Sequence, residues 1–315
     1  MIDAFITYIE TEKRYSALTV RNYRHDIEAF AEWWCRHTKC DKEEFDVRKV
    51  SEADIRRWIM YRIDKGSIKA STMNRELSSL RSFFRYLRKR HIIECDLFRR
   101  ITSLKASRRL PTFVPETRME KILDNLREQS NGPSFIEQRN ALIVAMFYSC
   151  GIRLAELCGI RFRDLDDGYS ALKVQGKGDK ERIIPLLPEL GRRITQYRES
   201  LHDMGIMATE DMSLILTEKG TPLSRSAIQR IVSNELHKGN VAGKKSPHIL
   251  RHTFATHLLN RNADMRDIQE LMGHSSLKTT QHYTHNSITQ LQRIYDKAHP
   301  HSRRVEQTDI KTARS

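Results

Sequence analysis

The stretch from His248 to Tyr283 gathers side chains whose natural target is a phosphate group. It opens with two imidazoles and a guanidinium, in His248, Arg251 and His252. It continues through a Gly-His pair at His274 to the phenol of Tyr283, a group that can attack phosphorus. A guanidinium and imidazoles around a phenol predict phosphoryl transfer through a covalent tyrosine, without a metal ion.

Each of these residues also has a simpler interpretation. His248 and His252 stand four residues apart, which on a helix suits zinc, but no Glu follows the first His and no third ligand has a matching spacing. A tyrosine such as Tyr283, taken alone, is more often a core residue, and His252 and His257 are interpreted as packing or hydrogen-bonding residues. The sequence therefore predicts no metal and no cofactor.

Two earlier segments carry charged residues that need an explanation. Arg153 and Glu156 follow Gly151, which ends a nearly all-apolar segment. A guanidinium there needs a partner because desolvation alone costs several kcal/mol, and either Glu156 or a bound phosphate would serve. Lys177 lies between two glycines at the tip of a predicted β-hairpin. Walker A spacing is absent, which disfavours nucleotide binding, while a solvated hairpin-tip lysine stays an alternative.

The composition favours a polyanionic partner. The 315 residues include 55 Lys and Arg against 40 Asp and Glu, a net charge of +15. Both the first 105 residues and the remainder carry an excess of basic side chains. This shared basicity predicts two domains that grip one nucleic acid, with a basic surface kept for solubility as the alternative.

The cysteines and the apolar runs bear on the compartment. The five cysteines are odd in number and lack a C-x-x-C spacing, which predicts reduced, cytosolic thiols. The N-terminus lacks a basic region followed by an apolar core, and no apolar run approaches about eighteen residues. We expect a soluble, cytoplasmic and nucleoid-associated protein without membrane contact.

The first hundred residues predict four amphipathic helices and no convincing strand. A capping box of Ser51 and Asp54 begins the third helix. The apolar seam of the fourth helix is formed by Met73, Leu77, Leu80, Phe84 and Leu87. Basic residues around the last two helices, and in a loop before residue 248, are predicted to contact DNA phosphates. They are Lys65, Lys69, Arg75, Arg81, Arg85, Lys244 and Lys245. A solvated helical surface is the alternative.

A polar, basic linker with prolines spans residues 101–115 and predicts a domain boundary near residue 108. The domains are expected at 1–107 and 108–300, followed by a polar, disordered tail at 301–315. The second domain predicts several helices, the hairpin and a short third strand at residues 214–216. The expected fold is mainly α, with a helical N-terminal domain and a mixed α+β domain that holds a small antiparallel sheet.

Five motifs together resemble those of the tyrosine site-specific recombinases, the phage-integrase family. They are Gly151-x-Arg153-x-x-Glu156-Leu157, Gly176-Lys177-Gly178, His248-x-x-Arg251-His252, Leu271-Met272-Gly273-His274 and Tyr283. The resemblance covers nearly the whole chain and implies a helical, SAM-like core-binding domain before a catalytic domain. The linker at residues 109–111 and the ending at residues 295–300 look most like the Xer-type chromosome-dimer recombinases.

The resemblance implies a DNA strand cleavage that is reversible. Tyr283 would attack the scissile phosphate, forming a 3′-phosphotyrosyl ester and releasing a 5′-hydroxyl. Arg153 and Arg251 would clamp the non-bridging oxygens, and His274 would donate to the same oxygens.

The remaining roles are implied in the same way. His248 would assist proton transfer at the tyrosine, and Lys177 would protonate the departing 5′-oxygen. Glu156 is expected to orient Arg153.

The resemblance also implies three kinds of partner. They are double-stranded DNA with a specific site, further copies or a second recombinase in a homo- or hetero-tetramer that works through a Holliday junction, and a septal DNA translocase as an activator. Resolution of chromosome or plasmid dimers is the expected role. The alternatives are an integrase of a mobile element with the same chemistry, and a catalytically inactive DNA-binding architectural protein. Residues 94–98 lack the Asn-Pro turn often seen in the Xer type, and the chain extends past Pro300, which both weaken that subfamily assignment.

Overall fold

The fold is described from a computed structural model, which describes residues 1–41, 44–64, 68–105, 113–176 and 181–273. The chain divides into two compact units, Met1–Arg109 and Leu110–Ser315, called unit 1 and unit 2 below. The boundary predicted near residue 108 falls among residues outside the described ranges. The predicted tail at 301–315 also lies outside them, so both stay predictions.

The described residues of unit 1 form four α-helices. They are α1 (Ile2–Thr11), α2 (Ala17–Thr38), α3 (Glu52–Asp64) and α4 (Ala70–Lys89). The predicted capping box is present, because the Asp54 backbone N–H donates to Ser51 Oγ at 3.2 Å and the Ser51 backbone N–H donates to Asp54 Oδ2 at 2.9 Å. The five seam residues predicted for α4 are all buried against the core of this unit. The helical N-terminal domain is thus confirmed.

Unit 2 surrounds one buried helix. The α-helices among its described residues are α5 (Glu116–Asn131), α6 (Phe135–Cys150), α7 (Leu154–Gly159), α8 (Pro188–Asp203), α9 (Arg225–Lys238), α10 (Pro247–Asn260) and α11 (Met265–Met272). Every residue of α6 from Ala141 to Cys150 is buried, because the sequence is apolar on nearly all faces. α6 contacts α5, α8, α9 and α10, so it is the central helix of unit 2.

The predicted hairpin pairs β1 (Ala171–Gln175) with β2 (Glu181–Pro185) in antiparallel register, Val174 opposite Arg182. The third strand expected at residues 214–216 is wrong: in the described part of the chain the sheet has two strands, and Leu216 makes only an isolated bridge to Pro222. Its backbone is satisfied otherwise, since the Leu214 N–H donates to the Ile160 carbonyl and the Leu216 N–H donates to the Tyr197 hydroxyl.

Helices long and apolar enough to cross a membrane are absent from the described ranges.

Candidate active site

Arg153 occupies the short connection between α6 and α7. Gly151 ends α6 with a φ of +57°, in the left-handed region. A Cβ on Gly151 would lie 2.5 Å from Phe254 Cδ1 of α10, so the close approach of α10 requires glycine here. Arg251 stands one turn before Phe254 and donates a hydrogen bond to the Gly151 carbonyl. The two arginines, about a hundred residues apart in sequence, therefore meet at this glycine.

The C-terminal end of α11 collects guanidinium groups from three segments of the chain. The contacts are Arg182 Nε to the Leu271 carbonyl (2.9 Å), Arg251 Nη2 to the Met272 carbonyl (2.6 Å) and Arg153 Nη2 to the Gly273 carbonyl (3.3 Å). The last carbonyls of a helix lack intrahelical partners and carry partial negative charge, which attracts cations. The end of α11 therefore brings together Arg153 and Arg251, two residues of the predicted site.

Glu156 is the carboxylate at this meeting point, and its side chain is only 5% exposed. It accepts hydrogen bonds from Arg182 Nη1 at 3.1 Å and Nη2 at 2.9 Å, and from Arg153 Nη1 at 2.7 Å. Burial by itself would raise the pKa of Glu156, but the hydrogen bonds from Arg182 and Arg153 lower that pKa to about 2. Glu156 is therefore ionised at neutral pH and bridges two guanidiniums.

The charges of this cluster do not balance. Burial, followed by repulsion from Arg153, lowers the pKa of Arg251 to about 10, so Arg251 still carries its charge at neutral pH. With Arg182 there are three guanidiniums, while Glu156 supplies one negative charge among the described residues of the cluster. An excess of two positive charges suits a bound anion.

α10 presents a second basic feature at its start. The helix begins at Pro247, after Ser246, and His248 lies exposed on its first turn. His248 and Arg251 are three residues apart, so they lie on neighbouring positions of one helix face. Lys244 is exposed and Lys245 partly exposed in the loop that leads into the helix. Along the sequence, the two lysines of the loop come first, the exposed His248 follows, and the buried Arg251 of the arginine cluster comes last.

His257 has a structural position. Its Nδ1 is 3.0 Å from the Tyr148 hydroxyl and its Nε2 is 2.9 Å from the Val114 carbonyl, in the core of unit 2. Burial lowers the pKa of His257. This agrees with the expected packing role. Within the described ranges, no group of three or more His, Cys, Asp and Glu side chains is placed to hold a metal ion.

Four of the predicted functional residues lie outside the described residues: Lys65, Lys177, His274 and Tyr283. Their roles stay predictions.

The other basic residues predicted in unit 1 differ in their surroundings. Lys69 and Arg85 are exposed. Arg75 pairs with the buried carboxylate of Asp26 at 2.5 Å, and Arg81 donates to a backbone carbonyl in the segment after α4. Arg75 and Arg81 therefore stabilise unit 1 as well, and the contact of these residues with DNA stays a prediction.

Arg182 is the member of the cluster that was absent from the predicted site. A signal for it exists in the sequence, because side chains two apart on a strand face the same side. Arg182 shares its face with Ile184, which is fully buried. A charged residue on the apolar face of a hairpin strand needs an ionic partner, and Glu156 is that partner.

The chain matches two family models, one in each unit. A model described as "Phage integrase family" matches residues 112–290, and one for the N-terminal SAM-like domain of phage integrases matches residues 2–91. The chain belongs to the phage integrase family. This integrase-family chain is 38% identical to tyrosine recombinase XerC of Thermodesulfovibrio yellowstonii, with 97% of this chain and 98% of the relative covered. It is 34% identical to tyrosine recombinase XerC of Listeria welshimeri, with 94% and 96% covered.

Solved structures show the same fold. A XerH site-specific recombinase in a post-cleavage complex with difH substrate has a TM-score of 0.68 at 19% identity, covering 98% of this chain and 83% of that one. A lambda integrase dimer bound to a COC′ core site has a TM-score of 0.59 at 18% identity, covering 90% and 98%. The expected fold, a helical domain followed by a catalytic domain with a small sheet, is thereby confirmed.

Proposed function

We propose that this integrase-family chain is a site-specific recombinase that cuts and rejoins DNA through a 3′-phosphotyrosyl intermediate. The observation that carries the proposal is the convergence of Arg153 and Arg251 at the end of α11, in a cluster with two excess positive charges. A phosphodiester bears one negative charge and attack by a phenolate adds a second, so the transition state matches that excess. The name of the curated relatives, tyrosine recombinase, supports the same chemistry.

Arg153 and Arg251 would act as the clamp on the phosphate. A guanidinium has five N–H donors, and the described contacts use Nη1 and Nη2 of each arginine once. Each arginine thus has further N–H groups for the non-bridging oxygens. These contacts strengthen as negative charge develops, which lowers the barrier more than it improves ground-state binding.

The cleavage step then balances without an external energy source. The Tyr283 phenol oxygen forms a bond to phosphorus while the bond from phosphorus to the 5′-oxygen breaks. His248 takes the phenol proton, and Lys177 gives a proton to the departing 5′-oxygen. His274 donates a further hydrogen bond to the non-bridging oxygens. Because the ester keeps the energy of the original bond, a 5′-hydroxyl from a second strand can reverse the step and join the exchanged strands.

Strand exchange between two sites requires several copies of the chain. A lambda integrase tetramer bound to a Holliday junction shares the fold, with a TM-score of 0.59 at 19% identity. We infer that this chain assembles as a homo- or hetero-tetramer on a specific double-stranded site. The relatives named XerC match over nearly the full length, which favours chromosome or plasmid dimer resolution over mobile-element integration. Activation by a septal DNA translocase, at the nucleoid, would fit that role.

A covalent-trapping experiment tests the proposal. Duplexes that bind the full chain are selected from genomic fragments, and each is nicked at stepped positions so that cleavage releases a short strand that diffuses away. A protein–DNA adduct that survives a denaturing gel is the expected result. If the wild-type chain binds these duplexes but gives no adduct at any nick position, the chain is a binding protein and the enzyme proposal is wrong.

Two tyrosine variants identify the nucleophile. Tyr283→Phe removes the phenol oxygen and is expected to bind DNA like the wild type but to form no adduct. Tyr295→Phe is the matched control, since it removes a phenol from the same part of the sequence and should leave adduct formation intact. Adduct formation by Tyr283→Phe would show that a different nucleophile acts.

A further inference from the structure

Arg182 joins three segments of unit 2 through its guanidinium group. Its Nη1 and Nη2 donate to the two carboxylate oxygens of Glu156, and its Nε donates to the Leu271 carbonyl. The side chain is 5% exposed, and it starts from β2, the strand that follows Lys177 in the sequence. The planar guanidinium therefore fixes β2, α7 and the end of α11 relative to one another.

The contacts of Arg182 determine where Arg153 points. Glu156 Oε1 accepts from Arg182 Nη1 and from Arg153 Nη1, while Glu156 Oε2 accepts from Arg182 Nη2 and from the Arg153 backbone N–H. Arg182 thus holds both oxygens in place, and Arg153 is left with one oxygen for its Nη1. Without Arg182, the Arg153 backbone N–H would still hold Oε2, but the carboxylate would lose both guanidinium contacts that oppose its rotation towards Arg153. A two-pronged pair between Glu156 and Arg153 would then draw that guanidinium away from a phosphate.

The end of α11 is packed tightly on Arg182. Gly273 has a φ of +64°, and a Cβ at this position would lie 3.0 Å from Arg182 Nη1. The guanidinium therefore lies directly against the peptide that precedes His274 in the sequence. A shift of Arg182 would move that peptide together with the carbonyls that Arg153 and Arg251 contact.

We propose that Arg182 is a positioning residue of the recombinase site, which aims Arg153 and the segment before His274 at one phosphate without touching it. This inference rests on the proposed function. A reacting group that is displaced by even a fraction of an ångström loses rate while the DNA, held by many other contacts, stays bound. Lysine keeps the charge but has one nitrogen, so it cannot hold both Glu156 oxygens and the Leu271 carbonyl in the same geometry.

The test separates the rate of the chemical step from DNA affinity. Arg182→Lys and Arg182→Gln are compared with the wild type in single-turnover adduct formation on the nicked duplexes, at saturating protein, and in a separate binding titration. Arg193 offers the matched control, because it is 6% exposed and pairs with Glu189 at 3.0 Å elsewhere in unit 2. Arg193→Lys and Arg193→Gln carry the same kind of destabilisation. All rates are corrected for the folded fraction from thermal melts.

We expect Arg182→Lys to lower the adduct rate at saturation by about tenfold or more, with the dissociation constant changed by less than about twofold. Arg193→Lys should leave both within about twofold of the wild type. In a double-mutant cycle, Arg182→Gln should cost little further rate in a Glu156→Gln background, because the two residues act through one contact.

Two results would overturn the inference: Arg182 variants that keep the wild-type rate, or Arg182 and Arg193 variants that lose rate equally. Arg182→Lys keeps the test valid where Arg182→Gln fails to fold. An absence of adduct with the wild-type chain is a different outcome, because it would contradict the proposed function itself.

Discussion

Replacing Glu156 by glutamine removes the negative charge that faces two guanidinium groups. The pKa of Glu156 is lowered from the ordinary 4.5 to about 2, against the effect of its burial. The difference of about 2.5, at about 1.36 kcal/mol per pKa unit, corresponds to about 3 kcal/mol of stability at neutral pH. Solvent screening does not reduce this value much, because the side chain is 5% exposed. We expect Glu156→Gln to lower the free energy of unfolding of unit 2 by about that amount.

The pH dependence of this contribution has a definite sign. The folded-state pKa lies below the unfolded value, so the contribution is fully present above pH 4.5 and is lost as the pH falls towards 2. Glutamine does not titrate. The stability difference between the wild type and Glu156→Gln should therefore be constant near neutral pH and should shrink as the pH falls from about 4.5 towards 2.

The assay can follow the two units separately. All three tryptophans, Trp33, Trp34 and Trp58, lie in unit 1, so tryptophan emission during urea unfolding reports on that unit alone. Far-UV circular dichroism reports on the helices of both units. The unfolding of unit 2 is seen by dichroism but not by tryptophan emission, and Glu156→Gln should shift this unfolding to lower urea. The emission transition of unit 1 should not move.

Glu189→Gln is the matched control. Hydrogen bonds from Arg127 and then Arg193 lower the pKa of Glu189 to about 2, again against its burial. Glu189→Gln should lose a similar amount of stability. Once the adduct rate is corrected for the fraction of folded protein, Glu189→Gln should form the DNA adduct at the normal rate, whereas Glu156→Gln should form it more slowly. Equal dichroism transitions for the wild type and Glu156→Gln at pH 7, or a stability difference unchanged down to pH 3, would refute the electrostatic argument.

Three further changes test other parts of the site. Gly151→Ala forces a left-handed alanine against Phe254 and should destabilise unit 2 by about 2 kcal/mol or more, measured as a dichroism transition at lower urea. Arg251→Lys, which loses the guanidinium fork, should lower the adduct rate about 100-fold while DNA affinity changes less than about threefold; a large fall in affinity at an unchanged rate would contradict the clamp. Replacing Lys244 and Lys245 by alanine should reduce the slope of log affinity against log salt by about 2, and an unchanged slope would remove both from the DNA interface.

Periodicity predicted the elements that bury one clear face. The α4 seam, with Met73 and Leu80 fully buried, follows from an apolar residue at every third or fourth position. α6 was predicted from the opposite signal, an apolar run on all faces. These patterns are local, because they depend on which apolar side chains leave water for the core. The spacing of those side chains can be read directly from the sequence.

Residues whose contacts are distant in sequence were harder to predict. The backbone at residues 214–216 has the apolar composition of a strand, yet the Tyr197 hydroxyl and a loop carbonyl satisfy it. Arg75 looked like a free basic residue, but it contacts the buried Asp26, 49 positions away in the chain. The sequence shows that a side chain is charged, but it does not show which partner the fold brings next to it. Identifying the partners of polar side chains therefore requires the structure.

The same distinction applies to the candidate site. Motif spacing indicated Arg153, Glu156 and Arg251, but it did not indicate that the α11 carbonyls accept from both arginines. Under the proposed function, these contacts would favour a phosphate clamp. A surface guanidinium loses rotamer freedom when it binds a phosphate, whereas a guanidinium held by two acceptors has already lost that freedom on folding. The negative charge of Glu156 and of the helix end is smaller than the positive charge of the arginines. The held guanidiniums therefore keep their attraction for a phosphate. Under the proposed function, folding would thus order the two arginines before DNA arrives, and the remaining charge excess would be available to the transition state.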